Sequence, residues 1–176
     1  ASWNPREASS LVVACGDGSV RVFDGRTGSV VQRIDGAHQG ETLCVDWNKY
    51  DLAVLATGSV DQQVKVWDLR SSNLALPTMP TLPAPQVNIS GHYRAVKRVK
   101  VSPFHRSHLA SCGYDMTVRF WNTDSLVPAV RPAYTQHTEF VLGLAYSLKR
   151  PGVLASCSWD DTIHFHDSSE QRMAPL

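Results

Sequence analysis

Apolar and polar residues alternate in short runs along this chain, and the runs recur in phase. Val20-Arg21-Val22-Phe23-Asp24, Val64-Lys65-Val66-Trp67-Asp68, Val118-Arg119-Phe120-Trp121-Asn122 and Ile163-His164-Phe165-His166-Asp167 each carry a period of two. That period predicts half-buried strands. A second apolar stretch ending on aspartate precedes each run: Leu11 to Asp17, Val54 to Asp61, Leu109 to Asp115 and Leu154 to Asp160. The Gly- and Asp-rich links between paired runs predict tight hairpins. Asp17 to Asp61 is 44 residues, Asp61 to Asp115 is 54 and Asp115 to Asp160 is 45. The dipeptides Ala37-His38, Gly91-His92 and Gln136-His137 keep the same step. A period of this size means an array of supersecondary units.

These features resemble the WD40 repeat, a four-stranded propeller blade with Gly-His near its start and Trp-Asp after its third strand. Trp67-Asp68 is the complete dipeptide, and Trp121-Asn122, Phe23-Asp24 and His166-Asp167 are degenerate forms. The expected fold is all-β, a WD40 β-propeller with about four blades present of a ring of about seven. The expected units are a partial blade at 1–36, a blade at 37–90, a blade at 91–135 and a final blade at 136–176 without its own outer strand. In-phase alignment sets Trp3 against Trp47, Val101 and Tyr146, near the end of a first strand. Residue 1 would then fall inside a strand, and a part preceding it is expected. The proline-rich stretch 71–86, with Pro77, Pro80, Pro83 and Pro85, is expected as a surface excursion of the second blade. A proline-rich docking motif is its alternative.

Composition changes the picture little. The hydrophobic fraction is 43% and the charged fraction 19%, values of a globular protein. A net charge of +1 offers no footprint for nucleic acid or an anionic membrane. No apolar run approaches the ~18 residues of a membrane span, and direct membrane insertion is not expected. The four cysteines, Cys15, Cys44, Cys112 and Cys157, form no Cys-x-x-Cys and are expected as reduced, buried thiols.

Histidine, hydroxyl and aspartate together invite a hydrolase reading. Their repetition argues otherwise, since a triad is needed once and not once per blade. The sets are His38, Thr57, Asp61 and Trp67; His92, Ser111, Asp115 and Trp121; and His137, Ser156 and Asp160, with His166 in the tryptophan slot. In WD40 blades such sets are structural, each buried polar group satisfying the next. His105, His108 and His164 show no metal-site spacing. Gly16-Asp17-Gly18 reads as a turn and not as a phosphate cradle. No cofactor and no enzymatic activity are expected.

Several longer words are more specific. They include Asp46-Trp47-Asn48-Lys49-Tyr50, Arg98 to His105, His137-Thr138-Glu139-Phe140 and Cys157 to Ile163. With these, the stretch from about Ala8 to Asp167 resembles the receptor family for the type-2 peroxisomal targeting signal, in its C-terminal part. The resemblance implies a receptor moving between the cytosol and the peroxisomal matrix. It would capture cargo by a short N-terminal signal with an early Arg or Lys, folded as an amphipathic helix on one propeller face. A co-receptor and docking machinery would be further partners. Val60, Tyr114 and Trp159, each just before a hairpin aspartate, would point to that face. The expected peptide-binding residues are Tyr114 and Trp159 as apolar anchors, Glu41 and Glu139 as acceptors for signal cations, and Tyr93, with Asp161 a weaker candidate. Val54 through Arg70 also resembles the box of WD40 substrate receptors of cullin-type ubiquitin ligases, where Arg70 would meet an acidic adaptor. A generic WD40 scaffold is the remaining alternative.

Overall fold

The computed structural model describes residues 1–70, 85–124 and 133–167. Most of the proline-rich stretch lies outside these residues. Among the described residues, fourteen strands build four antiparallel sheets, each ordered as the chain runs. The first sheet holds β1 (Ser2–Trp3), β2 (Ser10–Ala14), β3 (Val20–Asp24) and β4 (Ser29–Ile34). The second holds β5 (Thr42–Trp47), β6 (Val54–Ser59), β7 (Gln63–Asp68) and β8 (Val87–Ser90). The third holds β9 (Val96–Val101), β10 (His108–Gly113) and β11 (Val118–Asn122), and the fourth β12 (Val141–Tyr146), β13 (Val153–Ser158) and β14 (Ile163–Asp167). Trp3, Trp47, Val101 and Tyr146 each end the first strand of their sheet. On the third sheet, a single bridge between Val118 and Tyr134 stands where the second sheet has β8. The chain is thus a β-propeller portion with blades in sequence order.

Each β-strand sends alternate side chains to opposite faces, and in the second and third sheets both faces are covered. Val12, Val20 and Val22 of the first sheet meet Trp47, Leu55 and Trp67 of the second. Val64, Val66 and Ile89 of the second meet Val96, Val99 and Leu109 of the third. Val118 and Phe120 of the third meet Val141, Leu144 and Leu154 of the fourth. The core is therefore three slabs between sheets. The period-two run of β7 alternates half-buried and buried positions as far as Val66, whereas the strands beside the runs are buried more fully. β6 and β10 are buried at every position after the first, hydroxyls included.

The cysteines also need correction. All four are free thiols, but only Cys44 and Cys112 are buried. Burial pushes the Cys44 thiol up to about 12 and raises that of Cys112. Their Sγ atoms lie against backbone oxygens of the next sheet, Val96 for Cys44 and Val141 for Cys112. Cys157 matches Cys112 but sits in the last described sheet, where no further described strand covers it, and it is exposed. Ile163 and Phe165 on the same flank are exposed for the same reason, although their counterparts Val118 and Phe120 are buried.

Candidate functional site

One end of every sheet carries the same turn between its second and third strands. Asp17, Asp61, Asp115 and Asp160 each accept the backbone N–H two residues on, from Ser19, Gln63, Thr117 and Thr162. The residue between them takes positive φ: Gly18 at 78°, Gln62 at 70°, Met116 at 63° and Asp161 at 60°. The local bond to aspartate holds this sparsely populated conformation. The preceding residue, Val60, Tyr114 or Trp159, follows directly on the second strand at that end of the sheet.

The aspartate reaches back to histidine. His38 Nδ1 lies 2.9 Å from Asp61, His92 Nδ1 2.8 Å from Asp115, and His137 Nδ1 2.9 Å from Asp160. The Nε2 atoms meet Thr57 Oγ1 at 2.7 Å, Ser111 Oγ at 2.6 Å and Ser156 Oγ at 2.8 Å. The indoles of Trp67 and Trp121 donate to the first two of those oxygens at 2.9 and 2.7 Å. An indole can only donate, so each hydroxyl oxygen accepts from it, and each ionised carboxylate accepts from Nδ1 of its histidine. Every buried polar atom in the set is satisfied. Burial alone would raise the Asp61 carboxyl. The hydrogen bond and charge of His38 and the N–H groups of Gln39 and Gln63 outweigh it, holding the group at about 2. Asp115 is lowered by His92 and Thr117 in the same way. Ser111 Oγ is fully committed inside a residue of 0% exposure, so no substrate carbonyl can reach it.

In the fourth sheet His166 Nε2 bonds Ser156 Oγ at 2.8 Å, in the place of the indole. His164 packs edge-on to His137, with ring centroids 4.5 Å apart. Among the described residues no group of three such side chains could hold a metal ion, and no helix is long and apolar enough to cross a membrane.

The turns and the segments after each histidine form one surface. Val60 N–H donates to Glu41 O, Tyr114 N–H to Ala95 O and Trp159 N–H to Phe140 O. Glu41, Ala95 and Phe140 are therefore structural equivalents, whereas Glu139 shares its place with Gly40 and Arg94. Tyr114 and Trp159 do not touch. Phe140 joins them, 4.8 Å from Tyr114 and 5.5 Å from Trp159 by ring centroids. Its signal in the sequence is its phase with Glu41, which single-residue chemistry does not reveal. Trp159 is 61% exposed and Tyr93 77%. Tyr93 belongs to a separate pair, with the Arg119 guanidinium 5.5 Å from its ring. Lys97 Nζ stands 5.8 Å from the Tyr114 ring. The Glu41 and Glu139 side chains are exposed and make no ion pair among the described residues.

Arg70 lies at the other end of the second sheet. Its guanidinium is held by Asp68 and Asp51, each at 2.8 Å. The charge on which the ubiquitin-ligase alternative turns is already paired within the blade.

Residues 1–121 match the EIPR1 β-propeller family, and residues 130–167 match the WD domain, G-β repeat. The chain is 41% identical to the peroxisomal targeting signal 2 receptor of Mus musculus, across 94% of this chain and 76% of that protein. It is 42% identical to the Homo sapiens receptor of the same name, across 81% of this chain and 68% of that protein. The Saccharomyces cerevisiae receptor is 32% identical across 93% of this chain and 50% of its own length.

Proposed function

Because the chain belongs to the WD40 β-propeller family of peroxisomal targeting signal 2 receptors, we propose that it forms part of a receptor for N-terminal type-2 signals of peroxisomal matrix proteins. The signal lies on the face that carries the aspartate turns. It binds as an amphipathic helix, with apolar side chains in the groove and cations towards carboxylates. No bond chemistry is involved. The receptor then meets a co-receptor and the import machinery, and it works between cytosol and peroxisome.

The observation that carries this reading is the row Tyr114–Phe140–Trp159 with Glu139 next to Phe140 in the chain. A continuous aromatic strip on a rigid β scaffold supplies contact area at little entropic cost. Glu139 and Glu41 supply exposed carboxylates for the cationic side chains of the signal. Tyr93, paired with Arg119, offers a further exposed ring, and Asp161 is the positive-φ residue of the turn after Trp159.

The test is fluorescence anisotropy of a labelled type-2 signal peptide with the full-length protein, alone and with co-receptor. The control peptide carries Asp and Arg in place of the signal's Arg and Leu. Selective binding is expected, weakened about tenfold or more by Phe140→Ala, Trp159→Ala or Glu139→Lys. Equal affinity for signal and control peptides, with the protein folded and co-receptor present, overturns the reading.

A further inference from the structure

The residue four places after each turn aspartate is basic in all four sheets: Arg21, Lys65, Arg119 and His164. Two of them have their charge engaged within the fold. Arg21 Nη2 pairs with Asp17 at 2.5 Å and Lys65 Nζ donates to Ala37 O at 2.7 Å, while His164 packs edge-on to His137. Arg119 differs. Its side chain is 8% exposed, yet only Nε makes a hydrogen bond, to Thr117 Oγ1 at 3.2 Å. Among the described residues nothing accepts from its terminal nitrogens. The nearest carboxylate, Asp115, stands 3.9 Å from Nε and is already engaged by His92, the Tyr93 N–H and Thr117. A buried cation with unspent donors is costly unless an anion meets it. Tyr93, largely exposed, lies against the guanidinium face, an arrangement that leaves the edge donors free.

The surroundings carry the same sign. Arg94 and Arg98 are exposed and Lys97 is half-buried, and none of the three makes an ion pair among the described residues. Arg94 stands where the neighbouring blades have Gly40 and Glu139, and Lys97 where they have Leu43 and Leu142. Compared with the second and fourth blades, the third concentrates positive charge here.

We propose that Arg119, roofed by Tyr93 and flanked by Arg94 and Lys97, is an anion-recognising site that takes a carboxylate from an acidic segment of a partner protein. A nucleic acid fits less well, since a long polyanion would run onto Glu41 and Glu139 on the adjoining blades. The site's chemistry stands by itself, and only the partner's role rests on the receptor reading: a cationic signal is repelled here, so this site serves a second protein.

The test uses the full-length protein and a fluorescein-labelled peptide of repeating Glu-Ala-Leu, with a Gln-for-Glu version as control. The Glu peptide should bind about tenfold tighter at low salt and lose that margin at high salt, where screening is short-ranged. Arg119→Gln should remove the margin. So should the paired surface change Arg94→Glu with Lys97→Glu, which touches no core contact. Affinity for the cationic type-2 signal peptide should not fall in parallel with the lost margin in either variant. Equal binding of Glu and Gln peptides, or a margin untouched by the surface pair, overturns the proposal. Tighter binding of an oligo-dT strand would replace the acidic protein by a nucleic acid. Loss of signal binding with the Glu-peptide margin intact would overturn the receptor reading alone.

Discussion

The Asp46 carboxylate accepts the backbone N–H of Val101 at 2.9 Å, across the boundary between the second and third sheets. Its other oxygen takes Ser2 Oγ of the first sheet at 3.2 Å and Lys49 Nζ at 2.9 Å. One side chain of 2% exposure thus ties three blades together. Slabs of apolar packing leave blades free to slide in register, whereas this bond fixes one register.

Asp46→Ala should therefore cost about 2–4 kcal/mol, since it strands a buried N–H and an ammonium. Asp46→Asn should cost less, because one amide oxygen still accepts. Urea unfolding followed by tryptophan fluorescence measures both. A loss below about 0.5 kcal/mol for the alanine variant would show that the slabs alone set the register.

Asp115→Ala removes the acceptor for His92, for Tyr93 N–H and for both donors of Thr117. The expected loss is about 2–4 kcal/mol. Hydrogen exchange should report it first in the turn at Met116, whose positive φ depends on the same carboxylate. Stability equal to that of the parent would mean the histidine finds another partner.

His166 makes the fourth blade acid-sensitive. Burial first, then the charges of His137 and His164, hold its imidazole down at about 4, against 6.5 when free. The Ser156 hydroxyl and the Tyr134 ring lie against it as well. Between those values the unfolded chain binds a proton that the folded chain does not, so stability rises with pH there. The contribution is complete above about pH 6.5 and is lost as pH falls towards 4. Asp61 acts lower, between its ordinary 3.8 and about 2. His166→Trp should flatten the upper window, leaving a urea midpoint nearly level from pH 7 to about 4.5. Parallel midpoint curves for parent and variant would contradict this.

Cysteine and glycine trade places between blades. Cys44 on β5 pairs with Gly58 on β6, while Gly143 on β12 pairs with Cys157 on β13. A Cβ at Gly58 would lie 2.8 Å from Cys44 Sγ, and one at Gly143 would lie 2.5 Å from Cys157 Sγ. There is room for one sulfur per pair. Gly58→Cys alone should cost about 1–3 kcal/mol by overpacking. Adding Cys44→Gly should recover part of it, with a coupling of at least about 0.5 kcal/mol in a double-mutant cycle. Strict additivity would mean that Val96, 2.6 Å from the same Cβ, is the obstacle.

The blades were legible because each repeats a spacing that chemistry constrains. Asp61, Asp115 and Asp160 must sit 23 residues after their histidines for the carboxylate to reach Nδ1. Burial was less legible. Whether Cys157 is covered depends on what lies across its flank, and nothing in its own repeat encodes that. The candidate face was legible in part. Tyr114 and Trp159 announce themselves by bulk and position, but Phe140 matters through contacts to residues 26 and 19 positions away. Arg119 stands in the sequence only as a polar position of the run Val118 to Asn122, because the sequence does not say how many of its donors find acceptors.

The aspartate turn holds its shape with backbone N–H groups and one carboxylate, whichever residue stands before it. Gly16, Val60, Tyr114 and Trp159 all occupy that preceding place, from no side chain to the largest one. Side-chain identity can therefore drift at this position while folding stays under the control of the aspartate beside it. Substitutions there should be tolerated by the scaffold and felt by the ligand, which makes these four positions the natural starting point for altering selectivity by saturation mutagenesis.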